Sequence, residues 1–172
     1  MTSAAMDRKL VLVRHAAAAA RHPEGDHERE LTEEGRAEAR TAGGWLNGHE
    51  LGVDQVLCSS AERARQTAEG LWDGGCCEAD VHYDQRIYNA DHDTLLGVVR
   101  EADEDASVVM MIGHAPGIPA LASLLADGEG SRRAHEALAA GFPTGGLAVL
   151  SFSGYWRDLG AGVASLDRFH TP

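Results

Sequence analysis

"LVLVRHAAAAA", residues 10–20, joins an apolar run to an arginine–histidine pair and then to five alanines. Residues 10–13 show no polar alternation, the pattern of a strand covered on both faces. A second continuous run at 108–112, "VVMMIGH" in context, reads the same way. Two such strands imply the interior of a parallel sheet, and Arg14 and His15 then fall at the carboxyl end of the first. Taken alone, the pair reads as a solvated strand terminus and the alanines as coding bias. The rest of the chain decides between that reading and a functional one.

Further strand-like runs lie at 9–14, 54–59, 79–84, 107–114 and 146–152, with a weaker one at 161–169. Helical patterns fall between them. Ala39, Ala42 and Leu46 share a face with Leu31 and Gly35 after a cap at Thr32. Ala61, Ala64, Ala68 and Leu71 follow Ser59-Ser60, and Leu95, Val98, Val99 and Ala102 follow Asp91 and Asp93. Pro116 fits a first helical position before Ile118, Leu121 and Leu125. This alternation predicts an α/β protein, three layers α/β/α around a mainly parallel central sheet. "DGGCCEAD" and "DGEGSRR" read as surface loops, so residues 1–172 are expected to form a single domain.

Composition narrows the function. The 172 residues carry a formal net charge of −12, which opposes nucleic-acid binding. Lys9 is the only lysine among 15 basic residues, leaving arginine, whose planar fork suits phosphate, to supply the rest. Cys58, Cys76 and Cys77 form no disulfide framework and no CxxC, and the nine histidines show no HExxH, so neither a metal nor another cofactor is expected. The start, "MTSAAMDRKLVLV", is too short in apolar residues for a signal peptide, and no stretch is long enough to span a membrane. A cytoplasmic monomer is the expectation.

In open α/β sheets ligands bind beyond the carboxyl ends of strands, near helix N-termini. Arg14-His15 lies at such an end; Arg63 and Arg65 open the helix after the second strand, and His114 precedes the helix at Pro116. Arginines and neutral histidines gathered on one rim suit phosphoryl transfer: arginine forks spread the charge, and an imidazole nitrogen attacks phosphorus in line.

"LVLVRHA", "RELTEEGRAEA", "SSAERARQTA" and "IGHAPG", in that order, resemble the histidine phosphatase superfamily, which includes the phosphoglycerate mutases. The short chain resembles most its small SixA-like phosphohistidine phosphatases. The likeness runs over about residues 9–120 and implies a phosphoglycerate mutase-like fold. It implies His15 as the nucleophile that becomes phosphorylated, with Arg14, Arg63 and His114 as the phosphate pocket and Ala115 beside them. His114 is left open as imidazolium or neutral donor. Arg65 stands one residue off the motif and points elsewhere. Asp26 and Arg29, in "GDHEREL", are candidates to flank the mouth, though they read better as solvated surface residues.

The departures are specific. Ala16 stands where the commonest motif has glycine, which implies a backbone without positive φ there. Ala17 stands where many SixA-like members carry lysine; Ser60 and Glu30 stand at positions often held by proline. No aspartate follows His114, and "YDQRIYNADHD" lacks the insertion that houses the mutases' acid. Asp84 and Asp91 are candidate acids, though each reads better as a turn or cap residue.

The missing acid bears on the substrate. An alkoxide leaving group has a conjugate acid near pKa ~15.7, taking water as guide, whereas imidazole needs only about 6.5. Nine units at ~1.36 kcal/mol give an upper limit near ~12 kcal/mol. Hydrolysis of phosphohistidine on a phosphotransfer protein is therefore expected. The alternatives are a broad phosphomonoesterase using Asp84 or Asp91 on small phosphate esters, and a non-catalytic phosphate-binding module. His22, His27, His49, His92, His135 and His170 are expected to be solvated, Trp45, Trp72 and Trp156 to pack, and Cys58 to be inert.

Overall fold

The computed structural model describes residues 6–76 and 79–172; Cys77 and the first five residues of the start read above lie outside them. Strand β1 (Asp7–Arg14) is central, flanked by β4 (Val108–Gly113) in parallel and β6 (Leu147–Ser153) in antiparallel. With β2 (Gln55–Ser59), β3 (Asp80–Asp84), β5 (Ala126–Gly130) and β7 (Ala164–His170), the order is β3-β2-β4-β1-β6-β7-β5. The β3–β2, β2–β4, β4–β1 and β7–β5 pairs are parallel, and the two made by β6 are antiparallel. The expected mainly parallel sheet is observed.

The unbroken apolar runs follow from burial of both faces. Leu10 and Leu12 join Val109 and Met111 in a core with α3 (His92–Arg100) and α4 (Gly117–Leu125). Val11 and Val13 join Met110 and Ile112 in a second core, with α1 (Glu33–Gly48) and α2 (Glu62–Asp73). Alternate residues of each strand thus point into opposite layers. Trp156 is fully buried in the first core, its indole N–H donating to the Ala106 carbonyl at 2.8 Å. Trp45 and Trp72 pack, partly buried, against the second.

The helix starts follow their caps. The Thr32 hydroxyl accepts from the Gly35 N–H at 3.0 Å, and the Asp91 carboxylate from the Thr94 N–H at 2.9 Å. Pro116 is the residue before α4 rather than its first helical residue. The other corrections lie beyond residue 125. "DGEGSRR", read as loop, contributes most of β5, and α5 (Arg132–Ala140) was not foreseen. β5 pairs with β7 at Ala126 and Gly130 alone and is mostly exposed, so it has no apolar alternation to read. α5 fully buries only Ala134, with Leu138 one turn on partly buried against the first core, a short apolar face in a nine-residue helix.

Helix α1 approaches the segment after β1 so closely that a Cβ on Gly35 would run into the Ala17 carbonyl oxygen. That carbonyl already accepts from the Thr32 N–H at 3.0 Å. Gly35→Ala is therefore expected to lower stability by about 1–3 kcal/mol through overpacking. Gly48→Ala, at the far end of the same helix where an added Cβ meets nothing, is expected to be neutral or stabilising by up to about 1 kcal/mol. Urea midpoints of the two variants check this pair.

Candidate active site

Parallel pairing of β1, β4 and β2 brings their carboxyl ends to one edge of the sheet. The His15 N–H donates to the Gly113 carbonyl at 2.9 Å, so the residue after β1 is tied to the end of β4 immediately before His114. Ser59, ending β2, meets His114 Nε2 through its hydroxyl at 2.7 Å and accepts from the Ala61 N–H at the entry to α2, which carries Arg63. A cavity of about 360 Å³ opens there, lined by Arg14, His15, Arg63, His114 and Ala115, all five residues expected from the sequence. Asp26, Arg29, Ala18, Asn89 and Thr144 complete it.

The two imidazoles lie at the base of the cavity, nearly buried, with ring centroids 5.2 Å apart. His15 Nδ1 sits 2.7 Å from the Ala16 carbonyl oxygen. A carbonyl only accepts, so Nδ1 carries the hydrogen and Nε2 keeps its lone pair. Burial, reinforced by Arg63, Arg14 and Arg29, lowers the His15 pKa to about 4 against the hydrogen bond to Ala16. Burial, then the neighbouring His15 and Arg63, lowers that of His114 to about 3. Both shifts favour the neutral rings near pH 7 in the site without a bound anion.

Arg14 and Arg63 are each anchored by part of their forks. Arg14 Nη1 donates to the Phe142 carbonyl at 2.8 Å. Arg63, only 3% exposed, donates through Nη1 to the Asp26 carbonyl at 2.9 Å and through Nη2 to the Asp26 carboxylate at 3.2 Å. Arg14 Nε, Arg63 Nε and His114 Nδ1 are buried without a protein partner. Such groups are costly unless an acceptor meets them, and three of them around one cavity fit an oxyanion. A cavity of about 620 Å³ at the opposite end of the sheet is lined by Asp7, Asp127, Asp167 and Glu50 against Arg8 and Lys9, a charge unsuited to phosphate.

Ala16 is fully buried, lies outside the positive-φ region and donates its N–H to Thr67 Oγ1 at 3.0 Å, as the alanine-for-glycine exchange required. The Ala17 N–H donates to a Glu38 carboxylate oxygen at 3.2 Å. Arg65 leaves the site: it pairs with Glu62 and stacks over the Tyr83 ring at 4.1 Å. Asp84 and Asp91 are absent from the lining. Asp84 accepts from the Arg86 N–H at 2.8 Å and pairs with its guanidinium, and Asp91 caps α3.

Some histidines expected in solvent make ring contacts: His27 meets Tyr88 edge-on at 5.0 Å, and His49 and His170 pack against Trp45. Burial pushes the Cys58 thiol up to about 12, which keeps it inert near neutral pH. Asn89 and Thr144 were missed. Asn89 sits at φ 54°, a conformation asparagine tolerates. Thr144 comes from a loop held by the Gly145 N–H, which donates to the Arg14 and His15 carbonyls, a contact with no local motif.

The lowered His15 pKa has a signed consequence. The unfolded imidazole titrates near 6.5 and the folded one near 4, so the unfolded chain takes up the proton first. The stability from neutral His15 is full above pH 6.5 and is lost as pH falls toward 4. A ring-proton NMR titration is expected to place the His15 midpoint near 4, with the urea midpoint falling over the same range; a midpoint at 6.5 contradicts the burial described.

Residues 10–150 match the family model of the histidine phosphatase superfamily, branch 1. An uncharacterised protein of Mycobacterium tuberculosis is 40% identical over 163 residues, covering 93% of this chain and 99% of its own. Among solved structures, a protein assigned as phosphohistidine phosphatase SixA from Nakamurella multipartita superposes with a TM-score of 0.86 at 38% identity over 99% of both chains. One so assigned from Agrobacterium tumefaciens gives 0.77 at 32% identity over 96% of this chain and 99% of its own. No helix among the described residues is long and apolar enough to cross a membrane. With a cationic, histidine-floored cavity at the strand ends and a family match running through it, this chain belongs to the histidine phosphatase superfamily and is a phosphatase similar in structure to the SixA proteins.

Proposed function

We propose that this phosphatase hydrolyses phosphohistidine on a phosphotransfer protein through a phosphorylated His15. His15 Nε2 attacks phosphorus in line, the bond from phosphorus to the substrate ring breaks, and the substrate histidine departs. The Nε–H groups of Arg14 and Arg63 and the His114 ring receive the phosphoryl oxygens and spread the charge of the transition state. Phosphorylated His15 still carries the Nδ1 hydrogen on the Ala16 carbonyl. It is thus an imidazolium and leaves as neutral imidazole when water attacks, giving inorganic phosphate and the starting enzyme.

The observation that carries the choice of substrate is the state of the carboxyl groups. Asp84 and Asp91 are held at turns away from the cavity. Among the described residues the lining holds one carboxyl, Asp26, and the Tyr88 hydroxyl, then Arg29 and Arg63, lower its pKa to about 2 against the effect of burial. With both imidazoles neutral as well, no group in the lining is a proton donor matched to an alkoxide. Such a site favours P–N over alkyl P–O cleavage.

The mouth supports a protein substrate. Ala17, Ala18 and Ala19 are only half-buried and Ala20 is exposed, so a phosphorylated side chain on a rigid partner meets methyl groups rather than a lid. The test is phosphate release from a phosphorylated histidine phosphotransfer protein, p-nitrophenyl phosphate and an alkyl phosphate. The expected order of kcat/KM is phosphohistidine first and alkyl phosphate last, by at least about 10³-fold, a fraction of the leaving-group difference. Equal rates on alkyl phosphate favour the broad phosphomonoesterase, and no turnover with retained phosphate binding favours the binding module.

A further inference from the structure

Asp26 is the one anion among the described residues of a cavity otherwise lined by cations and neutral groups. Its Oδ1 accepts from Arg29 Nε at 2.9 Å, and its Oδ2 from Arg63 Nη2 at 3.2 Å and from the Tyr88 hydroxyl. A carboxylate has about four acceptor positions, so these three bonds leave one. The side chain is 50% exposed at the rim, whereas His15 and His114 are nearly buried at the base. In-line displacement puts the leaving group opposite the attacking nitrogen, on the rim side.

A carboxylate on that side repels a departing alkoxide or phenolate and attracts a cation. Three arginines and one aspartate, with both imidazoles neutral, give a net charge of two positive, the complement of a phosphoryl dianion. A positive charge that the substrate carries beyond the phosphoryl group is met by Asp26 at the rim and not by the lining as a whole. Phosphohistidine has such a charge when the second nitrogen of its ring is protonated.

We propose that Asp26 binds the protonated second ring nitrogen of the phosphohistidine substrate, so that the substrate brings its own leaving-group proton into the site. This rests on the phosphohistidine reading above. The lone pair of His15 Nε2 forms the new P–N bond as the old one breaks, and the electron pair of the broken bond stays on the substrate ring. That pair neutralises the imidazolium, the proton remains on the second nitrogen, and neutral histidine leaves without receiving a proton from the enzyme. Asp26 thus replaces a general acid by holding a substrate that is already protonated. It also discriminates against esters, whose leaving oxygen carries no such proton.

The competing role for Asp26 is to hold Arg63 and nothing more. A phosphohistidine peptide and p-nitrophenyl phosphate separate the two, because both need Arg63 and only the first has a ring N–H. For Asp26→Asn, kcat/KM on the peptide is expected to fall at least about tenfold further than on p-nitrophenyl phosphate, the size of one charge-assisted hydrogen bond. Tyr88→Phe, which removes one bond to the carboxylate but keeps its charge, is expected to hold the wild-type ratio within about threefold. An equal fall on both substrates in Asp26→Asn overturns the proposal. A urea midpoint close to that of wild type establishes that the variant is folded; otherwise Asp26→Ser takes its place. A wild-type enzyme that hydrolyses p-nitrophenyl phosphate but not the peptide overturns the phosphohistidine reading itself, and this inference with it. Wild-type turnover of both with an unchanged ratio in the variant overturns this inference alone.

Discussion

His15→Ala is expected to lower kcat on every phosphorylated substrate by on the order of 10⁴ or more, the scale of losing a covalent nucleophile. The loss is expected in kcat and kcat/KM alike, since the phosphorus–nitrogen bond forms only on the way through the transition state. Arg14, Arg63 and His114 stay anchored by groups other than the His15 ring: the Phe142 carbonyl, Asp26 and Ser59. The variant should thus retain phosphate or tungstate binding. This combination distinguishes loss of a nucleophile from collapse of the pocket. Turnover within tenfold of wild type would mean that water attacks the substrate directly.

Arg63→Ala is expected to have the next largest effect, about 10³-fold in kcat/KM, in the range found for single charged donors on a transferring phosphoryl group. Its guanidinium is buried, carries two bonds to Asp26 and has an Nε without a protein partner, in a residue that lines the cavity. Arg63→Lys is expected to recover less than about tenfold. An ammonium supplies charge but cannot hold the Asp26 carbonyl and carboxylate with one part of a fork while another part meets an oxyanion. Steady-state kinetics of the two variants check this, and near-wild-type activity of the lysine variant would show that charge alone suffices.

The parts of the molecule that were legible in the sequence are those that bury two faces or use a local cap. β1 and β4 were readable because residues 10–13 and 108–112 alternate between two cores and so carry no polar positions. Helices α1 and α3 were readable from Thr32 and Asp91, whose side chains act within three residues of themselves. β5 and α5 were not, because β5 touches β7 at two positions and α5 fully buries a single alanine.

The same division runs through the site. Arg14, His15, Arg63 and His114 fall at strand ends and a helix start, where pattern gathers them on one rim together with Arg65, and the family resemblance separates Arg63 from Arg65. In sequence, Asp26 and Arg29 read better as surface residues than as part of the mouth, because the Asp26 carboxylate joins Arg29, Arg63 and Tyr88 across as many as 62 positions of sequence. Thr144 arrives from the far side of β1 through the Gly145 N–H. Contacts of this kind depend on tertiary packing and leave no local period or spacing behind.

The account rests on a covalent phosphoryl group on His15, and rapid-quench labelling tests it most directly. A phosphotransfer protein carrying radiolabelled phosphohistidine is mixed with excess enzyme, quenched in alkali within a turnover, and the labelled peptide is mapped. The account predicts a transient, acid-labile, alkali-stable label on the peptide containing His15, appearing before inorganic phosphate and absent from His15→Ala. Phosphate released at full rate with no labelled enzyme, or a label on any other residue, would contradict it.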